Sequence, residues 1–99
     1  MKVNNRSYQL FTSMNEVINE KVSVELIYNR MTGLVMPRRM RWQGRLYIMK
    51  KLGYYHKVRQ GRTILHIFHV TDGNTDFRLS LDTENLHWTL NEITDGTTT

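Results

Sequence analysis

The chain has 99 residues, a formal net charge of +5 and no cysteine. A chain of this length makes one domain that buries about 60–65% of its unfolded surface, leaving little room for a deep substrate cleft. The lack of cysteine excludes disulfides, a thiolate nucleophile and sulfur-ligated zinc. The first residues hold no signal-peptide apolar run and no segment approaches the ~20 apolar residues of a membrane helix, so a soluble cytoplasmic protein with no membrane partner is expected.

Residues 1–7 are expected to be loosely ordered, with Tyr8, Leu10 and Phe11 able to dock. Ser13-Met14-Asn15-Glu16 has the form of a capping box, which predicts a short helix from Met14 to Glu20 whose apolar side is Val17, Ile18 and Met14. Val22, Val24, Leu26 and Tyr28 then alternate with Ser23, Glu25, Ile27 and Asn29 as in a half-buried strand. Met31-Thr32-Gly33 offers a turn into a second strand, Leu34 to Trp42. There Pro37, which cannot donate to a ladder, marks an edge, bend or bulge. Gln43-Gly44 is a further turn, and a long strand, Arg45 to Arg59, follows it.

A strand of that length must bend, and Gly53 is where bending is easiest. A hairpin at Gln60-Gly61 would put Gly53 opposite Phe68. It would also put Lys51 and Lys57 on the apolar face, so a bulge near Gly53 is expected. From Arg62 to Glu92 three runs keep strict two-residue spacing: Ile64/His66/Phe68/Val70, Phe77/Leu79/Leu81 and Leu86/Trp88/Leu90. With Asp72-Gly73 as a two-residue loop, Phe68 faces Phe77 and His66 faces Leu79. The turn Asp82–Asn85 then pairs Leu81 with Leu86, Leu79 with Trp88 and Phe77 with Leu90, so both turns place the same residues on one face. Residues 94–99 should form a mobile tail. The expected fold is all-β with one short N-terminal helix, either a small, partly open antiparallel barrel or a strongly bent six-stranded sheet.

Charge is unevenly spread. No acid occurs from Leu26 to Thr71, where ten arginines and lysines lie, while the rest of the chain holds all nine acids and four bases. Such asymmetry points to a polyanionic partner, or to acidic ends folding back on a basic middle. Arg38, Arg39, Arg41 and Arg45 interleave with Trp42 and Tyr47, and Lys50, Lys51, Tyr54, Tyr55, Lys57 and Arg59 follow. Arginine neutralises phosphate and exposed tyrosine stacks on unpaired bases, so these residues, without Trp42 and Tyr47, are the candidate DNA or RNA surface. Arg39 and Arg41 share one strand face and Arg38 the other. The competing reading buries Trp42 and Tyr47 in the core and leaves the arginines solvated or facing a protein.

Catalytic and metal chemistry find little support. His66 and His69 are three apart, on opposite faces of a strand, which defeats shared ligation. His56, His69 and His87 could converge on the outer face, but no acid close in sequence would orient them. Asp72 and Asp82 are explained by turn chemistry, and neither a nucleophile elbow nor a phosphate-binding glycine loop is present. No catalytic residue, metal site or cofactor is implied. Leu65 and Ile67 point away from the predicted core, an apolar edge suited to a protein partner or self-association.

Pro37, Met40, Trp42, Gly44, Arg45 and Tyr47, followed by Phe68, Asp72-Gly73, Phe77, Leu79, Asp82, Trp88 and Leu90, resemble the pattern of a small uncharacterised bacterial β-domain family. Some of its members are encoded near translesion DNA polymerase genes. Tyr54-Tyr55 stands where that pattern has a second tryptophan, and the family tends to an aromatic at Met40. The resemblance implies an all-β fold and an association with DNA repair, and brings no established activity.

Overall fold

A computed structural model describes residues 15–95. They form seven antiparallel strands: β1 (Asn15–Asn29), β2 (Leu34–Trp42), β3 (Arg45–Ile48), β4 (Lys51–Gln60), β5 (Thr63–Thr71), β6 (Thr75–Asp82) and β7 (Trp88–Asp95). The sheet order is β3-β2-β1-β7-β6-β5-β4, with β3 and β4 as unpaired edges, so the sheet does not close. Two strands change partner and fold this ribbon over on itself. The first half of β1, to Val22, pairs with β7, and the second half, from Ser23, pairs with β2. Met49 and Lys50 make the other corner: the Met49 amide donates to the Arg38 carbonyl and the Lys50 amide to the Thr71 carbonyl, both at 2.8 Å. Strands that switch layers are a standard way to turn a sheet corner.

The interior lies between the two layers. Met40 and Met49 from the β2–β3 side pack with Phe68, Val70, Phe77, Leu79 and Leu90 from the β4–β7 meander. The Tyr47 ring meets Phe77 edge-on, with centroids 5.3 Å apart, although four steps of strand order separate β3 from β6. Trp42 is part of this packing, and its indole N–H donates to Glu20 Oε1 at 2.9 Å.

In β5–β7 the two-residue alternation set the core face correctly, while the loops are longer than expected; in β3 it did not, since Tyr47 packs on the core and Leu46 and Ile48 are exposed. Phe68 pairs with Leu79 and Val70 with Phe77, a slip of two from the register expected for an Asp72-Gly73 loop. The Asp72 carboxylate accepts the amides of Asn74 and Thr75 at 2.9 and 2.8 Å, and this side-chain turn lengthens the loop. Leu79 likewise pairs with Leu90 and Leu81 with Trp88. Leu86, expected in a strand, lies in the loop with φ 62° and is 69% exposed. A slip of two leaves side chains on their original faces, and a bulge between Arg78 and Leu79 then sets Phe77 opposite Ile93 instead of Leu90. At Gln43-Gly44 both residues have positive φ, 52° and 75°, as a two-residue hairpin with the sheet's right-handed twist requires.

Four expectations need correction. Residues Asn15–Glu20 are strand, not helix, while Met14 lies outside the described residues. Two helical turns are marginal alone, whereas pairing with β7 satisfies backbone groups on a strand edge. Asn19, at φ 50°, occupies the bulge this pairing needs between Val17 and Glu20, and asparagine tolerates that angle. The sheet has seven strands rather than six, because the segment Arg45–Arg59 divides at Met49-Lys50 where its partner changes from β2 to β5. Gly53 carries the expected bulge, between Leu52 and Tyr54, and so Tyr55, not Gly53, stands opposite Phe68. Thr94 and Asp95, expected in a mobile tail, belong to β7, and Thr94 Oγ1 donates to Asn15 Oδ1 at 2.8 Å. Residues 1–7, Tyr8, Leu10, Phe11 and 96–99 lie outside the described residues.

Candidate nucleic-acid interface

The ten arginines and lysines between Leu26 and Thr71 are all exposed. The acidic ends reach this segment through an ion pair between Arg39 Nε and Glu25 Oε1 at 3.5 Å. With both side chains more than half exposed, such a pair is worth about 0–1 kcal/mol and leaves the arginine largely available. The cations sit mainly on β2, β3 and β4, the strands that bound the open seam of the sheet.

Local structure divides them into groups. In the ladder of β2, Arg39 stands between Glu25 and Ile48, and Arg41 between Ser23 and Leu46. The two line one shallow depression with Ser23, Val24, Glu25 and Leu46. Arg38 is the extra residue of a bulge beside buried Pro37, since Leu26 pairs with Pro37 and Glu25 with Arg39. That bulge re-aims Arg38 towards Lys50, across a groove that also holds Ile27, Leu34, Met36 and Ile48. The Arg45 guanidinium carbon is 5.7 Å from the centre of the Tyr47 ring, a cation–π distance.

The bulge at Gly53 splits β4 in the same way. Lys51 and Tyr54 pair with Thr71 and His69 on the outer face, whereas Tyr55, Lys57 and Arg59 pair with Phe68, His66 and Ile64 on the core side of the sheet, near its open end. The bulge therefore moves Lys51 off the apolar face and leaves Lys57 on it, exposed at the rim. Tyr55 lies flat on His66, with planes 13° apart, and its hydroxyl is hydrogen-bonded to His66 Nδ1. Tyr54 is 60% exposed and is the more accessible ring. The ten candidate residues thus lie over β2 and the two edge strands β3 and β4, as a band and not one flat face. Trp42 and Tyr47 belong to the core.

The outer face of the meander holds a row that the sequence did not announce. Tyr54, His69, Arg78 and Glu92 stand side by side across β4, β5, β6 and β7. His56 Nε2 lies 3.3 Å from His69 Nε2, and Arg78 is paired with Glu92 at 3.4 Å. Burial, then the positive charge of Arg78 and the neighbouring His56, hold His69 below the ordinary histidine value of 6.5, against an opposing pull from Glu92. Arg78 Nε and Asn91 Oδ1 are buried with no hydrogen-bond partner among the described protein atoms. A cleft of about 490 Å³ beside His69 takes in Lys51, Asp76, Arg78 and Glu92. His87 does not join the row, since its Nδ1 is 3.1 Å from Lys21 Nζ. Among the described residues no three histidines or acids gather as a metal site. Glu92 escaped sequence reasoning because only the registers of two successive hairpins bring it to His69's row.

Of the apolar edge expected at Leu65 and Ile67, Ile67 is buried and Leu65 half-buried. Ile67 is 2% exposed, because β5 is flanked on both sides and Val58, Arg78 and Glu92 surround the same cleft. Exposed apolar residues gather instead on the β1–β2 hairpin, where Tyr28 is 64%, Met31 83% and Leu34 55% exposed. No helix among the described residues is long and apolar enough to cross a membrane. Comparison with known proteins gave no matching family model, no matching curated protein and no matching solved structure.

Proposed function

We propose that this chain is a non-enzymatic accessory domain that binds nucleic acid through the basic band on β2, β3 and β4. The observation that carries the reading is the exposure of all ten cations of an acid-free segment. Arg38, Arg39, Arg41, Arg45, Lys50, Lys51, Lys57 and Arg59 neutralise phosphates, and Tyr54, the more open of the adjacent tyrosines, offers a stacking surface for an unpaired base. Tyr55 contributes less, being 38% exposed against 60% for Tyr54. The bound strand follows the seam, because the cations lie on both edge strands and do not tile a plane. The resemblance to a bacterial family with members encoded near translesion polymerase genes favours DNA over other polyanions. The test is fluorescence-anisotropy titration with single-stranded and duplex DNA and RNA at two salt concentrations. Affinity that falls with salt, and is weakened by Arg39→Ala/Arg41→Ala without unfolding, is the expected result. An absence of binding at low salt overturns the reading.

A second reading, a protein-interaction module, draws on the β1–β2 hairpin, where Ile27, Tyr28, Met31, Leu34 and Val35 are exposed. Monomeric proteins seldom leave a large continuous apolar patch uncovered. A sedimentation coefficient that rises with concentration, and stops rising in Tyr28→Ser/Met31→Ser, supports self-association there. A strict monomer that captures no partner removes it.

A further inference from the structure

We propose that His56 and His69 form a two-histidine chelate for an exchangeable divalent transition ion such as zinc. The inference does not rest on the nucleic-acid reading, although Tyr54, which supports both rings, and Lys51 also belong to the basic band.

The two residues belong to adjacent strands and lie diagonally on one face, His56 opposite Ile67 and His69 opposite Tyr54. Their ring centroids are 5.4 Å apart with planes 21° apart, yet the Nε2 atoms are 3.3 Å apart. The rings therefore converge through those nitrogens. Zinc binds histidine nitrogen at about 2.0–2.1 Å in a tetrahedral site, which sets two ligand nitrogens ~3.3–3.4 Å from each other. Ordinary hydrogen bonds from N–H fall at about 2.7–3.2 Å. The observed separation matches the edge of a metal tetrahedron and lies just beyond the common hydrogen-bond range.

The surroundings fit such an ion. Tyr54 stacks on His56 at 5.0 Å and leans on His69 at 5.6 Å, so both rings are supported on a rigid sheet, which lowers the cost of organising the pair. Arg78 brings a positive charge beside His69, but Glu92 pairs with it, and Glu92 and Asp76 add carboxylates to the cleft against the cations Lys51 and Arg78. Structural zinc takes four protein ligands and catalytic zinc three. No third histidine or acid stands at ligand geometry among the described residues, so water completes the shell, and the ion exchanges without the fold depending on it. The other described histidines are engaged elsewhere, His66 with Tyr55 and His87 with Lys21.

The experiment is calorimetric titration of the chelator-stripped full chain with zinc chloride near neutral pH, beside His56→Ala, His69→Ala and His87→Ala. The expected result is one saturable site, weakened roughly tenfold or more by each of the first two substitutions and unchanged by the third. Histidine side-chain NMR of the wild type provides a readout that needs no variant: zinc should move the imidazole signals of His56 and His69 and leave those of His66 and His87. No saturable binding, binding that survives either of the first two substitutions, or shifts centred on the other histidines would overturn the chelate.

Discussion

The β4–β7 meander and the outer half of the β1–β2 hairpin carry the same apolar alternation and meet opposite fates. Val70, Phe77, Leu79 and Leu90 are at most 2% exposed, whereas Tyr28 is 64% and Leu34 55%. The difference lies in neighbours. Each meander strand has the β2–β3 layer across from it, through Met40, Met49 and Tyr47. Beyond Val22, β1 has left β7 and pairs with β2 alone. Period-two spacing thus specifies a strand, but burial depends on a second layer.

The sharpest way to break this comparison is truncation on each side. Leu79→Ala should cost about 2–5 kcal/mol by transfer and cavity terms, whereas Tyr28→Ser or Met31→Ser should change stability by no more than about 0.5 kcal/mol. Urea denaturation at low protein concentration measures both. A hairpin substitution as costly as the core one would show that something covers the arm in solution. Next in size is the turn chemistry. Gly44→Ala forces a Cβ into a backbone at φ 75° and should cost about 1–2 kcal/mol, read in the same denaturation curves. Leu86 carries the reverse case, a branched side chain at φ 62° and 69% exposed. Leu86→Gly should raise stability by up to about 1 kcal/mol once glycine's entropy is set against the relieved strain.

The smallest effect is one of pH. His69 is held below its unfolded value of 6.5, so the native state takes up its proton later than the unfolded chain does. Its contribution to stability is present above 6.5 and is lost as pH falls through the lower folded value. In metal-free protein, His69→Asn should flatten the acid side of the stability profile, and an unchanged profile would count against this effect.

Most of the fold was legible because alternation survives a register error of two. Asp72-Gly73 reads as a two-residue hairpin by its backbone preference, yet the Asp72 carboxylate caps two amides and builds a longer loop. Nothing local distinguishes these outcomes. The helix failed for a related reason: Ser13–Glu16 satisfies a local capping rule, and a long-range partner, β7, offered Asn15–Glu20 more. The exposure of the basic residues followed from charge alone. Their distribution did not, since bulges at Arg38 and Gly53 each turn part of a strand to another face. The His56–His69 meeting was open to the alternation argument, while its neighbours Arg78 and Glu92 required the full strand order.

The central claim, that the basic band is a nucleic-acid surface, is tested most directly by the salt dependence of single-strand binding in the wild type and in Arg39→Ala/Arg41→Ala. Each phosphate contact contributes about 0.7 to the slope of log affinity against log salt on a single strand. The double substitution should therefore make the slope shallower by about 1.4. A slope unchanged by the substitution, or binding indifferent to salt in the wild type, would contradict the account.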